Sequence, residues 1–155
     1  MSQIETTHFT NPLFFLLEET FEKHYGIFLD ANTSLFQTLE SISAEKASIP
    51  VGGKCATLAA QVAHITFYLE VSERALVNND RTPADWDKIW RTVGEVSPAE
   101  WDDLRNNLKQ VYSRITELFR AASDWKEDII GYAMAIIVHS AYHLGEIRQA
   151  LCTLT

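Results

Sequence analysis

Apolar residues recur along most of this chain at the 3.6-residue period of an amphipathic helix, not at the period of two that marks a half-buried strand. Asn11-Pro12 reads as a helix opening, a capping residue followed by proline at the first helical position. From there Leu13, Leu17, Phe21, Phe28, Leu35, Leu39 and Ile42 keep the helical period. The spacing predicts a first helix over about 12–43, kinked or split at Gly26 and stopped by Pro50 and Gly52-Gly53. A second helix over about 55–79 has its stripe on Leu58, Val62, Ile65, Leu69 and Leu76, with His64, Tyr68 and Val71 beside it.

Residues 80–96 lack a clean period and are too long for a tight helix–helix turn, for which 2–8 residues is usual. Extended at ~3.3 Å per residue they reach about 55 Å, more than the roughly 37 Å of a 25-residue helix. A crossover of that reach lets the second and third helices run parallel, with Trp86 and Trp90 pinning it down. Ser97-Pro98-Ala99-Glu100 is a capping box with proline at the first helical position and opens a third helix over about 97–122. A fourth, over about 124–152, carries the stripe Tyr132, Ile136, His139, His143, Ile147 and Ala150. Four such helices predict a single all-α domain over 1–155, a four-helix bundle with a long connection between helices 2 and 3.

Composition narrows the function classes. At 155 residues the chain is long enough for one core without staples. The net charge of −8, with only 13 Lys and Arg and no dense basic run, argues against nucleic acid as a main partner. The longest apolar run, near Gly131–Val138, is too short to span a bilayer. Cys55 and Cys152 form no CxxC pair and read as small buried hydrophobes, and the first residues lack the features of a signal peptide. The expectation is a cytoplasmic protein without a membrane partner.

The chemistry lies in the histidines. His139 and His143 are four apart, so their rings project from one helix face on successive turns, about 6 Å apart at Cβ, and can share one first-row metal ion. An HxxxH pair is a weak motif by itself. The pair sits on the core stripe, however, where unpaired ring nitrogens cost roughly 1–3 kcal/mol each unless a metal takes up their lone pairs. His64 alone reads most simply as a satisfied core residue. As a third member it completes a facial three-histidine set that leaves a coordination position open. Glu146 shares the face of the pair and is read as a fourth ligand, an acceptor orienting a histidine, a general base, or a surface glutamate. Tyr68, one turn after His64, is read first as a core tyrosine and second as a donor into the pocket. His8 reads as exposed and His24 as structural.

The segments LAAQVAHITFYLE and VHSAYHLGEIRQAL, the second with the form HxxxYHxGxIR through Tyr142, Gly145 and Arg148, resemble the DinB-like superfamily, which includes bacterial thiol S-transferases. The order of elements matches across nearly the whole chain. The resemblance implies an up-down-down-up bundle, a divalent transition metal, usually zinc or nickel, on His64, His139 and His143, and a homodimer. Where this pattern often has glutamine after the glycine, this chain has Glu146, which changes the charge of the site. The leading expectation is therefore a metal-dependent enzyme, a low-molecular-weight thiol transferase or hydrolase acting on a small molecule, with zinc, nickel and iron all suited to imidazole. The alternatives are a structural or regulatory bundle with a structural or vestigial metal site, and a helical partner-binding module with no metal.

Overall fold

The computed structural model describes residues 4–154, which are all-helical, with no strand among them. Seven α-helices follow in order: α1 (Thr6–Phe21), α2 (Leu35–Glu40), α3 (Ala44–Ala47), α4 (Leu58–Asn78), α5 (Asp87–Thr92), α6 (Pro98–Ala121) and α7 (Glu127–Leu151), with a 3-10 turn at Val51–Gly53. The three longest match the expected second, third and fourth helices to within three residues at either end. No helix is long and apolar enough to cross a membrane.

Local chemistry explains these ends. Thr57 caps α4 by accepting from the Ala60 N–H, and Asn79 closes it in the left-handed conformation at φ 51°. Ser97 and Glu100 form both halves of the capping box, with Pro98 at the first turn of α6. The expected helix over 12–43 is instead α1 and α2 with an irregular loop between them. α1 begins at Thr6, ahead of Asn11-Pro12, and in this added turn Phe9 packs edge-on to Trp125, at 5.9 Å between centroids.

It stops at Phe21 because of Glu19, whose side chain is fully buried and accepts the backbone N–H groups of Tyr25, Gly26, Ile27 and Phe28 at 2.7–3.2 Å. A turn this tight needs the positive φ of Gly26, +80°. Burial pushes the Glu19 carboxyl up, and the four backbone donors more than offset it, leaving its pKa below the ordinary value. Leu35, Leu39 and Ile42 are buried as their spacing predicts, but they belong to α2 and the turn after it.

The core is one cluster fed by all four long helices, including Leu17, Phe21, Leu58, Leu69, Leu108, Ile115, Ile136 and Ile147. Trp101 lies in it and donates its indole N–H to the Ile42 carbonyl at 2.7 Å, tying α6 to the α2–α3 link. Cross-helix polar pairs record the packing. Arg114 makes a two-point ion pair with Glu73, and the Asn107 amide donates to Glu70, linking α6 to α4. Arg120 pairs with Glu18, and Tyr112 donates to Glu22, linking α6 to α1.

The segment between α4 and α6 is anchored where Val96 N–H donates to Ser48 and Thr57 donates to the Gly94 carbonyl. It carries the short α5, and it brings Trp86 and Trp90 back onto α4. Cys55 and Cys152 are exposed free thiols rather than core residues, because each falls just outside a long helix, where the chain leaves the core.

Candidate metal centre

Helices α4 and α7 pack against each other, and the apolar stripe of each carries its histidines to the shared seam. His64, in the middle of α4, and His139 and His143, on successive turns of α7, bring one potential ligand atom each to within 4.8 Å of one another. Ring centroids are 5.1 Å apart for His64 and His139, 4.8 Å for His64 and His143, and 4.5 Å for His139 and His143. Among the described residues no other group of three or more His, Cys, Asp or Glu comes together in this way.

The surroundings keep the three rings neutral. His64 and His143 are buried and His139 is partly buried. Burial, followed by the neighbouring histidines, pushes His64 and His139 down to about 4. Burial also lowers His143, and the carboxylate of Glu146 offsets part of that. At neutral pH each ring therefore carries one N–H and one lone pair.

The accounting of those nitrogens is incomplete. His143 Nδ1 lies 2.6 Å from Gln61 Oε1 and 2.8 Å from Glu146 Oε2. Both are acceptors, so Nδ1 bears the proton and the lone pair sits on Nε2. His64 Nδ1 and His139 Nε2 are buried with no hydrogen-bond partner. Each such atom costs roughly 1–3 kcal/mol when left unsatisfied.

A divalent ion removes this burden. Two nitrogens at 2.0–2.1 Å from one tetrahedral ion stand about 3.3 Å apart, so a set already within 4.8 Å closes by side-chain torsion. The donor set fits a borderline or harder first-row ion and lacks the thiolates of a soft site.

Aromatic faces wall the cluster. Trp90 stacks on His64 with centroids 4.4 Å apart, and Tyr68 stacks on His139 at 3.7 Å and 13°. Trp86 packs edge-on to His64 and also touches Phe67 and Tyr68. Tyr68 thus presents its ring rather than its hydroxyl to the histidines, and burial raises its phenol.

Of the roles open to Glu146 in the sequence, the geometry is that of an acceptor orienting His143. The carboxylate also holds the Tyr142 phenol above its ordinary value. Arg148 lies outside the cluster, with Nη1 3.4 Å from Thr38 Oγ1. His8 and His24 are both exposed, His24 because α1 ends before reaching it.

Sequence reasoning overlooked Gln61 and read the two tryptophans as anchors only. Gln61 lies one turn before His64 on α4, but the histidine it meets is His143 of α7, a contact that the spacing of α4 does not announce. Nothing in the sequence announced that the crossover folds its indoles onto a histidine. Compared with models of known protein families, with curated proteins and with solved structures, the chain matches none.

Proposed function

We propose that this protein is a metal-dependent enzyme of the DinB-like type. In this reading it holds one divalent ion, zinc or nickel with iron also suited, on His64, His139 and His143, and acts on a small molecule by thiol transfer or hydrolysis. The observation that carries the reading is the convergence of three neutral imidazoles, two of which hold a buried nitrogen with no other partner. When bound, the ion supplies Lewis acidity and lowers the pKa of a hydroxyl or thiol beside it.

The chain's own residues divide the remaining work. Gln61 and Glu146 fix the tautomer and angle of His143. The Glu146 carboxylate, shared with His143 and the Tyr142 phenol, is the candidate to accept a proton from a substrate, the general-base role. Trp86, Trp90 and Tyr68 narrow the access of water to the cluster.

The proposed architecture is an up-down-down-up four-helix bundle. The pairs Glu70–Asn107 and Glu73–Arg114 advance together along α4 and α6, which supports parallel packing across the crossover. Gln61–His143 and Tyr68–His139 advance in opposite senses along α4 and α7, as Glu18–Arg120 and Glu22–Tyr112 do along α1 and α6. A cytoplasmic setting belongs to the same reading and is supported by two exposed, unpaired thiols. So does a homodimer, supported by the exposed apolar pair Met134 and Val138 on the outer face of α7. Light scattering of Val138→Asp, expected to be monomeric, tests it against the wild type.

Elemental analysis of protein purified without chelator or affinity histidines tests the metal. About one zinc, nickel or iron per chain, lost in His64→Ala and His143→Ala, is the expected result, and thiol-transferase and hydrolase screens then follow. Absence of metal after reconstitution overturns the reading.

The second reading, a bundle whose ion only ties α4 to α7, draws support from Trp90, whose ring covers one face of His64. Cobalt substitution separates the two. A visible spectrum that responds to azide favours the enzyme, and one that does not favours the structural role.

A further inference from the structure

Gln61 and Glu146 face two ways. One side of each meets His143, and the other lines a cleft of about 560 Å³ between the start of α4 and the end of α7. The volume falls in the range of small-molecule sites. Its walls are largely apolar, with the partly exposed Val51 and Ala56 over the buried Leu58 and Ala150, and the ring of Tyr142 stands at its edge. Glu146 is the only carboxylate in the lining, and no Lys, Arg or His among the described residues joins it. Such a wall accepts a donor and repels an anion.

Gly145 sits in the same wall, and a Cβ added there meets nothing within 4 Å, so the helix surface is open to an occupant at that point. The other depressions differ in kind. One of about 400 Å³ beside the crossover carries the carboxylates of Glu95, Glu100 and Asp103 and shares no residue with the histidine site.

We propose that this cleft is a ligand subsite for a small molecule with an aromatic or branched apolar body and one uncharged hydrogen-bond-donating head. The body lies along Val51 and Ala56, and the head donates to Glu146 at the end nearest His143. The position next to the reacting centre rests on the metal-site reading above, whereas the cleft and its lining do not. The subsite would set which substrates reach that centre.

Cys55 lines the cleft and is exposed, so its thiol reports occupancy. In Cys152→Ser protein as purified, the alkylation of Cys55 by iodoacetamide is followed by mass spectrometry against increasing 2-naphthylmethanol. Saturating probe is expected to slow the reaction at least five-fold. Gly145→Leu, which fills the cleft and replaces a helix-weakening glycine, is expected to weaken the probe at least ten-fold at unchanged metal content. In His139→Ala protein the probe is expected to bind as before, and the anion 2-naphthoate at least ten-fold more weakly than the alcohol.

No protection of Cys55 up to the solubility limit, or unchanged probe affinity in Gly145→Leu, overturns the subsite. Equal affinity for naphthoate in His139→Ala overturns the assignment of the donor head. Failure of the metal reading appears separately, as absence of metal from the wild type, and leaves the cleft result standing.

Discussion

Replacing His139 with phenylalanine should change the sign of its effect on stability according to whether metal is present. Phenylalanine keeps a ring of similar size stacked on Tyr68 and removes the buried, unpartnered Nε2. In chelator the wild type bears that orphan nitrogen and the desolvation of a neutral imidazole. Relief of one unsatisfied buried group is worth about 1–3 kcal/mol. At 2–4 °C per kcal/mol for a chain of this size, the variant in chelator should melt about 2–12 °C above the wild type.

With metal the order reverses. An ion present at 1,000 times its dissociation constant stabilises the wild type by about 4.1 kcal/mol. That corresponds to roughly 8–16 °C. The variant, with one ligand missing, should gain little. Thermal melts followed by circular dichroism, in chelator and in excess zinc or nickel, read both halves of the prediction. A variant less stable than wild type in both conditions would show that His139 is held by packing and polar contacts that the structure does not contain, and would refute the reasoning.

Three further outcomes follow from the same geometry. Gln61→Leu and Glu146→Ala should each weaken metal binding by about 10–100-fold in competition with a chromophoric chelator, because each removes an acceptor that orients His143. In chelator, the wild type should lose stability as the pH falls from about 6.5 through about 4 in urea titrations. The folded pKa values of His64 and His139 lie below the unfolded ones, so the unfolded chain binds more protons across that window; His139→Phe should flatten the dependence. Glu19→Gln should cost about 1–3 kcal/mol in the same titrations, by leaving backbone donors of the 25–28 turn poorly satisfied. Because the Glu19 pKa is depressed, the wild type's advantage should be present above about 4.5 and fade as the pH falls through the folded value.

What the sequence made legible was what depends on short-range pattern. Ser97 and Glu100 announced the start of α6 because both halves of a capping box lie within four residues. His139 and His143 announced a shared face because helical spacing alone decides it. Leu35 and Leu39 were correctly read as core, yet in the wrong helix, since burial follows the stripe while continuity depended on Glu19 reaching forward to Gly26. That reach is a tertiary event that no local propensity encodes. Gln61 and Trp90 were missed as neighbours of histidines for the same reason. Their roles depend on which helix packs on α4 and on how a crossover returns, and the periodicity of one segment carries neither.

The contact between Gln61 and His143 joins positions 82 residues apart, and the crossover and all of α6 lie in the span between them. A short fragment cannot assemble such a centre. On the ribosome, a chain that has displayed α4 still lacks two of its three imidazoles, and about two thirds of α7 must emerge before both arrive. On the metal-site reading proposed above, capture of an ion would thereby be confined to molecules whose helices have already found one another. A chain stalled or cleaved within the span would leave His64 as a single imidazole, too weak a donor to hold an ion by itself.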